Sequence, residues 1–372
     1  MRVLHAVTLH SPTHAFGGPV RVALNLAKGL RARGHEAALL ALGEGFDPMP
    51  AEVEGVPARL YPARRLLPLG FSGMTSPALL AQAGRLVRDA DLVHVHLARD
   101  LVTLPVALAA LRHGKPLVLQ THGMVDPSEK LLAKVLDAVA VRRVLRGAGA
   151  VFYLTPHERT GLDAVLGAPL GTAVRLVNGT PAQEERPELS GPPRILYAAR
   201  LQARKRPVDF VDAAAEVLRT HPEAQFTVAG PDEGELPAVE RRIAELGLTG
   251  RISVPGSLSS ENVLKELRRS HVYVLPSVDE PFPMSVLEAL SVGVPSVVTH
   301  SNGLAKDIAA AGAGRAVEPG PAGVAAAVLE LLDERENQAA SAAARKLAAG
   351  SFSMDAVLDT LLDRYAGILS SR

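Results

Sequence analysis

The chain contains no cysteine and no tryptophan, and aromatic side chains make up only 3% of its 372 residues. Without cysteine there are no disulfides, no thiolate metal ligands and no cysteine nucleophile, so a reducing compartment suits it. So few aromatic rings leave little for bases to stack on, and the basic residues do not cluster along one helix; nucleic acid is not an expected partner. No stretch reaches about eighteen uninterrupted apolar residues. The N-terminal segment MRVLHAVTLHSPTHAFGG is too short in its apolar run, and too broken by histidine and proline, to read as a signal peptide, and a cytoplasmic protein is expected. Neither G-x-G-x-x-G nor G-x-x-x-x-G-K-[ST] occurs, which withdraws the usual support for a dinucleotide dehydrogenase or a P-loop NTPase.

What is present is ample apolar material, 47% of residues, in a chain long enough for two cores. Short apolar runs such as RVLHAVTL, EAALLAL, DLVHVHL and PLVLQTH alternate with amphipathic segments such as PVRVALNLAKGLRARG and KLLAKVLDAVAVRRVLRG. After residue 193 the alternation resumes with RILYAAR, AQFTVAG, RISVPG, VYVLPS and PSVVTH. Repeated switching between the two periods predicts an α/β protein with parallel sheets and helices on both faces. TPAQEERPELSGPP, residues 180–193, has the composition of an exposed linker between domains at 1–180 and 194–350. The apolar stripe of the final segment, within 355–372, is expected to pack back on the first domain. Residues 1–180 carry 20 Lys/Arg against 13 Asp/Glu, and the remainder 20 against 26. The basic half, with Arg59 to Arg65 and Arg142 to Arg146, is a candidate for peripheral contact with anionic membrane lipid or an anionic acceptor.

In open parallel sheets ligands sit beyond the carboxyl ends of the strands, and several motifs fall there. Gly17 and Gly18 follow the first strand and open a helix, where backbone amides suit a phosphate or simply a tight turn. Arg200 and Lys205, in ARLQARKRP, lie between the first strand and first helix of the second half and could neutralise a diphosphate. Arg204 and Arg206 read as surface neighbours. In PSVDEPFPMSVLEAL, Glu280 stands in a proline-stiffened turn, Met284, Ser285 and Val286 offer the free amides of a helix start, and Glu288 lies a turn deeper, where a carboxylate can accept from vicinal hydroxyls.

Taken together, ARLQARKRP, the E-x7-E pair of EPFPMSVLEALSVGVPSVV, the FGG loop and THGMVDP resemble the family-4 retaining glycosyltransferases, especially bacterial surface-polysaccharide members, along essentially the whole chain. The resemblance implies the GT-B fold, two Rossmann-like doubly wound domains facing a cleft. It also implies transfer of a sugar from a nucleotide diphosphate donor, with retention and without a metal or other cofactor, to a hydroxyl acceptor that could be lipid-linked. On that resemblance Arg200 and Lys205 hold the diphosphate and Glu288 the ribose. Glu280 and the amides after it hold the sugar, His122 contacts the sugar near the reacting carbon, Asp126 orients an acceptor and Leu258 flanks the base. Two departures stand out: Pro283 replaces the common glycine after Glu-Pro-Phe, removing one amide, and Ala199 replaces the glycine before Arg200.

Asp89-Ala90-Asp91 has a metal-binding spacing but precedes its strand, at the amino end, and His94 and His96 share a strand face without a carboxylate or thiolate partner; neither is expected to hold a metal. A sugar-nucleotide 2-epimerase, a glycosyltransferase of small-molecule natural products and a non-catalytic nucleotide-sugar binder remain alternatives.

Overall fold

The computed structural model describes residues 1–12, 17–68, 70–184 and 186–371. Its contacts divide the chain into two compact units, Met1–Gly179 with Met354–Arg372, and Thr180–Ser353. The first contains β1 (Arg2–His10), β2 (Glu36–Gly43), β3 (Glu52–Val53), β4 (Val56–Pro62), β5 (Arg64–Arg65), β6 (Met74–Thr75), β7 (Leu92–His96), β8 (Leu117–Gln120), β9 (Ala150–Tyr153) and β10 (Ala173–Arg175). Eight of these form one sheet in the order β10-β9-β8-β7-β1-β2-β4-β3, parallel except for the edge strand β3, while β5 and β6 make a separate antiparallel ribbon. All residues of β7 and β8 are buried, as expected where helices cover both faces and no polar alternation is needed.

The second unit carries β11 (Arg194–Ala198), β12 (Gln225–Ala229), β13 (Ile252–Gly256), β14 (Val272–Leu275), β15 (Ser296–Thr299) and β16 (Gly314–Val317). They form a wholly parallel sheet in the order β13-β12-β11-β14-β15-β16. The winding direction reverses between β11 and β14, so the loops that leave these two strands diverge and open a crevice at their carboxyl ends. Arg200 and Lys205 follow β11, and Glu280 follows β14.

The helix Met354–Ser370 belongs to the first unit. Leu358 fills the space beside Gly29, Tyr365 is fully buried against His94, and Ile368 covers Gly149. Arg33 clasps its outer side through Asp355 and Asp359.

Three local features depart from the pattern read in the sequence. β4 was missed because Pro57, Arg59 and Pro62 interrupt its apolar character, yet it pairs with β2 from Leu39↔Ala58 to Gly43↔Pro62. The helical segment from Leu131 to Gly147 contains a π-helical turn at Asp137–Val141, and the buried Asp137 there pairs with Arg99 at 2.7 Å. Nor is the linker wholly solvated: Arg186 is partly buried, donates to the carbonyl of Ser270 at 2.8 Å and to Asn337 Oδ1 at 2.6 Å, and burial lowers its pKa to about 10. Among the described residues no helix is long and apolar enough to cross a membrane.

Candidate active site

The second unit brings together residues that lie 75 positions apart in sequence. After β11 the backbone of Ala199 and Arg200 runs so close to β12 that a Cβ on Gly230, at φ 151°, would sit 1.9 Å from the Ala199 carbonyl oxygen; only glycine fits there. The chain then makes a 3-10 turn, Ala203–Lys205, and Arg206 adopts a left-handed conformation (φ 52°) before the helix Pro207–Thr220 begins. This turn sends the Lys205 side chain inward, leaving the residue 8% exposed, with Nζ 2.5 Å from Glu280 Oε2. Arg204 reaches the same place. It donates to the carbonyl of Asp279 at 2.8 Å and lies 3.5 Å from Glu280 Oε2, contrary to its expected place among surface residues. Arg206, in contrast, is turned aside to Asp209.

Glu280 is held by its own main chain as well. Asp279 is left-handed (φ 50°) and its amide donates to Ser301 Oγ at 3.0 Å, while the Glu280 carbonyl accepts from Gly303 at 2.8 Å. Burial lowers the pKa of Lys205, and the attraction of Glu280 partly restores it. Either charge left alone at this buried position would be costly, which holds the ammonium and the carboxylate together. Arg200 stands apart from this pair, a partly exposed guanidinium bonded at 3.0 and 3.2 Å to the two oxygens of Glu233.

The helix Met284–Ser291 starts beside Glu280, with Pro283 at its N-cap and no side-chain cap. The amides of Met284 and Ser285 find no carbonyl acceptor in the preceding turn among the described residues. Val286 corrects the expectation of three free amides, since its N–H lies 3.2 Å from the Pro283 carbonyl. Glu288, one turn on, is partly exposed. Between it and β11 stands Tyr273, fully buried, whose hydroxyl is 2.9 Å from the Ala198 carbonyl and 2.8 Å from Ser285 Oγ. Burial, reinforced by the charges of Glu288 and Glu280, raises the pKa of this phenol and keeps it protonated. Since a carbonyl can only accept, Tyr273 donates to Ala198 and thereby ties the end of β11 to the start of the helix. Leu258, after β13, is partly exposed in the loop whose Gly256 carbonyl accepts from Gly230.

In the first unit His122 follows β8 in a left-handed turn (φ 51°), a conformation uncommon for a non-glycine residue and held here by its neighbours. Glu158 supplies the hold: its carboxylate accepts from the Thr121 hydroxyl at 2.5 Å and from the amides of Gly123 and Leu154 at 2.6 Å each. His122 Nε2 lies 2.7 Å from His96 Nδ1, and His96 Nε2 lies 3.3 Å from His5 Nδ1. The main-chain carbonyl of Asp126 is taken by Arg99 at 2.7 Å, and burial raises the pKa of its carboxyl group. Gly17 and Gly18 open the helix Gly17–Ala32 after β1, with open space where a Gly18 side chain would stand; Thr13 to Phe16, which complete the glycine loop, lie outside the described residues. Of the two metal-like patterns, Asp91 is bound by Arg2 at 2.8 Å at the amino edge of the sheet, and His94 and His96 are joined by His5 in a buried group.

Sequence reasoning missed Arg204, Tyr273 and Glu158. Only Glu158 carried a local signal, three residues after Thr155, whose hydroxyl accepts its amide as in a helix start.

Comparison with known proteins assigns each half of the chain. Residues 17–179 match the glycosyl transferase 4-like domain, and residues 180–347 match the glycosyl transferases group 1 model. The alpha-D-kanosaminyltransferase of Streptomyces kanamyceticus is 31% identical over 278 residues, covering 68% of this chain and 71% of the relative. The GDP-mannose:cellobiosyl-diphosphopolyprenol alpha-mannosyltransferase of Xanthomonas oryzae pv. oryzae is 26% identical over 303 residues, covering 79% of this chain and 77% of the relative. In architecture the chain is similar to the crystal structure of Anabaena Alr3699/HepE in complex with UDP-glucose, with a TM-score of 0.79 at 20% identity over 99% of this chain and 100% of the other.

Proposed function

We propose, on the premise that this chain belongs to the GT-B glycosyltransferases built from a glycosyl transferase 4-like domain and a group 1 domain, that it transfers a sugar from a nucleotide diphosphate donor to a hydroxyl acceptor with retention and without a metal. The observation that carries this reading is the Lys205–Glu280 pair with Arg204, set beside Arg200 and the helix Met284–Ser291 at the carboxyl ends of β11 and β14. As the bond from sugar to diphosphate breaks, negative charge grows on the leaving phosphate, and Lys205, Arg200 and the amides of Met284 and Ser285 stabilise it. Glu280 then exchanges its contact with Lys205 for the sugar, Glu288 accepts from the ribose, and the acceptor hydroxyl enters on the face that the phosphate leaves, giving its proton to a phosphate oxygen. Within the first unit His122 meets the sugar and Gly17 and Gly18 the phosphate or acceptor side.

A uridine donor is favoured, since the Anabaena protein was crystallised with UDP-glucose, while the Xanthomonas relative is named for GDP-mannose. A thermal-shift panel of UDP-, GDP- and dTDP-sugars tests this. At a hundredfold excess over Kd the right donor stabilises by about 2.7 kcal/mol, a rise of several degrees in Tm. No shift with any of them removes the reading, and conversion of UDP-GlcNAc without an acceptor turns it into an epimerase.

Peripheral attachment to an anionic membrane fits the first unit. Leu131, Leu132, Val135 and Val139, on successive turns of one helical segment, are 78, 44, 48 and 71% exposed, beside the exposed Lys130, Lys134, Arg143 and Arg146. Leu66 and Leu67 stand next to the exposed pair Arg64 and Arg65. Exposed apolar groups ringed by cations match the interface of an acidic bilayer. Sedimentation with phosphatidylglycerol vesicles is expected to pull the protein down, and the triple change Leu131→Ser, Val135→Ser, Val139→Ser to weaken binding about tenfold or more. Equal binding to phosphatidylcholine, or none to either, argues against it.

A further inference from the structure

Behind His122 stand three further histidines of the first unit, His5, His94 and His96, to which the transfer reaction as described gives no part. His5 on β1 is directly opposite His94 on β7, and the strand period of two puts His96 on the same face as His94. His96 in turn pairs in register with Gln120, two residues before His122. The rings of His94 and His96 are nearly parallel with centroids 4.8 Å apart, and those of His96 and His122, 9° from parallel with centroids 5.0 Å apart, meet through their nitrogens. His5 and His94 are fully buried, and His96 is 1% exposed.

Each neutral ring carries one N–H, so the line His5 Nδ1···His96 Nε2, His96 Nδ1···His122 Nε2 can run in only two directions. The inner end decides between them. His5 Nε2 is buried with no partner among the described residues. Protons running inward would leave an N–H there with no acceptor, a rarer state than a bare lone pair. With protons running outward, His5 Nδ1–H donates to His96 Nε2, His96 Nδ1–H donates to His122 Nε2, and the His122 proton must sit on Nδ1.

We infer that His5 and His96 are positioning residues that lock His122 in its Nδ1–H tautomer, so that it meets the sugar as a hydrogen-bond donor and not as an acid or a base. The role at the sugar rests on the proposed transfer reaction; the tautomer does not. Burial also drives the pKa of His5 and of His122 to about 3 and holds His96 well below its ordinary value, so the line stays uncharged at neutral pH. The same rings do not offer a convincing metal site. Both nitrogens of His96 and Nδ1 of His94 are already bonded, which leaves only Nε2 of His5 and Nε2 of His94, whereas a tetrahedral cation wants four ligands.

Nitrogen NMR of the intact protein labelled with 15N-histidine, without substrate, reads the tautomer directly. The His122 signals, assigned with His122→Gln, are expected to show a protonated Nδ1 and a bare Nε2 at pH 7. In His96→Leu the tautomer is expected to relax toward Nε2–H and kcat to fall about thirtyfold, the loss of one oriented hydrogen bond, with the donor KM within about twofold. His96→Asn, whose side-chain amide can still donate to His122 Nε2, is expected to keep both the Nδ1–H signal and most of kcat. An Nε2-protonated or imidazolium His122 in the unaltered protein overturns the inference, as does stoichiometric zinc in the purified protein. Because the spectrum needs no turnover, it decides the tautomer even if the transfer reaction proves wrong or His96→Leu does not fold.

Discussion

Lys205→Ala is expected to lower sugar transfer several hundredfold, measured as kcat/KM from release of the nucleotide. Two losses combine. In the proposed reaction the growing charge on the leaving phosphate loses a buried cation, and Glu280, only 8% exposed, keeps Arg204 at 3.5 Å. Removing one partner of a buried ion pair costs about 3 to 5 kcal/mol, since the other charge is stranded. Arg200→Ala should be milder, about tenfold to thirtyfold, because Arg200 is partly exposed and its present partner, Glu233, can return to water. Lys205→Arg is not expected to rescue, for the planar guanidinium does not replace a compact ammonium in an enclosed pocket. Near-normal transfer by Lys205→Ala at saturating donor would show that charge neutralisation lies elsewhere.

Acid is expected to destabilise the first unit steeply. Burial lowers the pKa of His5 to about 3 and those of His94 and His96 well below 6.5, whereas the same rings in the unfolded chain titrate near the ordinary value. Below that value the unfolded chain binds protons that the folded one refuses, so stability is whole above pH 6.5 and is lost progressively as pH falls toward the folded values. At about pH 5 the His5 ring alone costs about 2 kcal/mol, and those of His94 and His96 act in the same direction. Urea unfolding at about pH 7.5 and about pH 5 measures the difference in the first unit, and His94→Gln should reduce it. A flat profile across that window would mean that water or a bound cation reaches these rings.

The two doubly wound sheets were legible because strands covered by helices on both faces are predominantly apolar runs, as are those that form β1, β7, β8, β11 and β14, the buried histidines of β1 and β7 apart. The strand ends were therefore legible too, and with them the positions of Arg200, Lys205, Glu280 and His122. What could not be read was contact between residues far apart in sequence. Lys205 and Glu280 each looked destined for a ligand, and nothing local showed that they bond to one another. Arg204 was set aside because neighbours in an extended loop diverge, but the loop is a 3-10 turn followed by a left-handed Arg206, which bends both cations toward Glu280. His94-Val95-His96 announced a shared strand face, whereas the addition of His5 depends on the register of β1 against β7, and that of His122 on a turn held by Glu158.

The return of the helix Met354–Ser370 to the first unit bears on the order in which the protein can be made. Its 17 residues leave the ribosome after everything between Thr180 and Ser353. The second unit is contiguous and can close during synthesis, while the first-made half waits with the groove for Leu358, Tyr365 and Ile368 uncovered. The half made first is thus the last to be completed, and it is there that a chaperone would find apolar surface to hold.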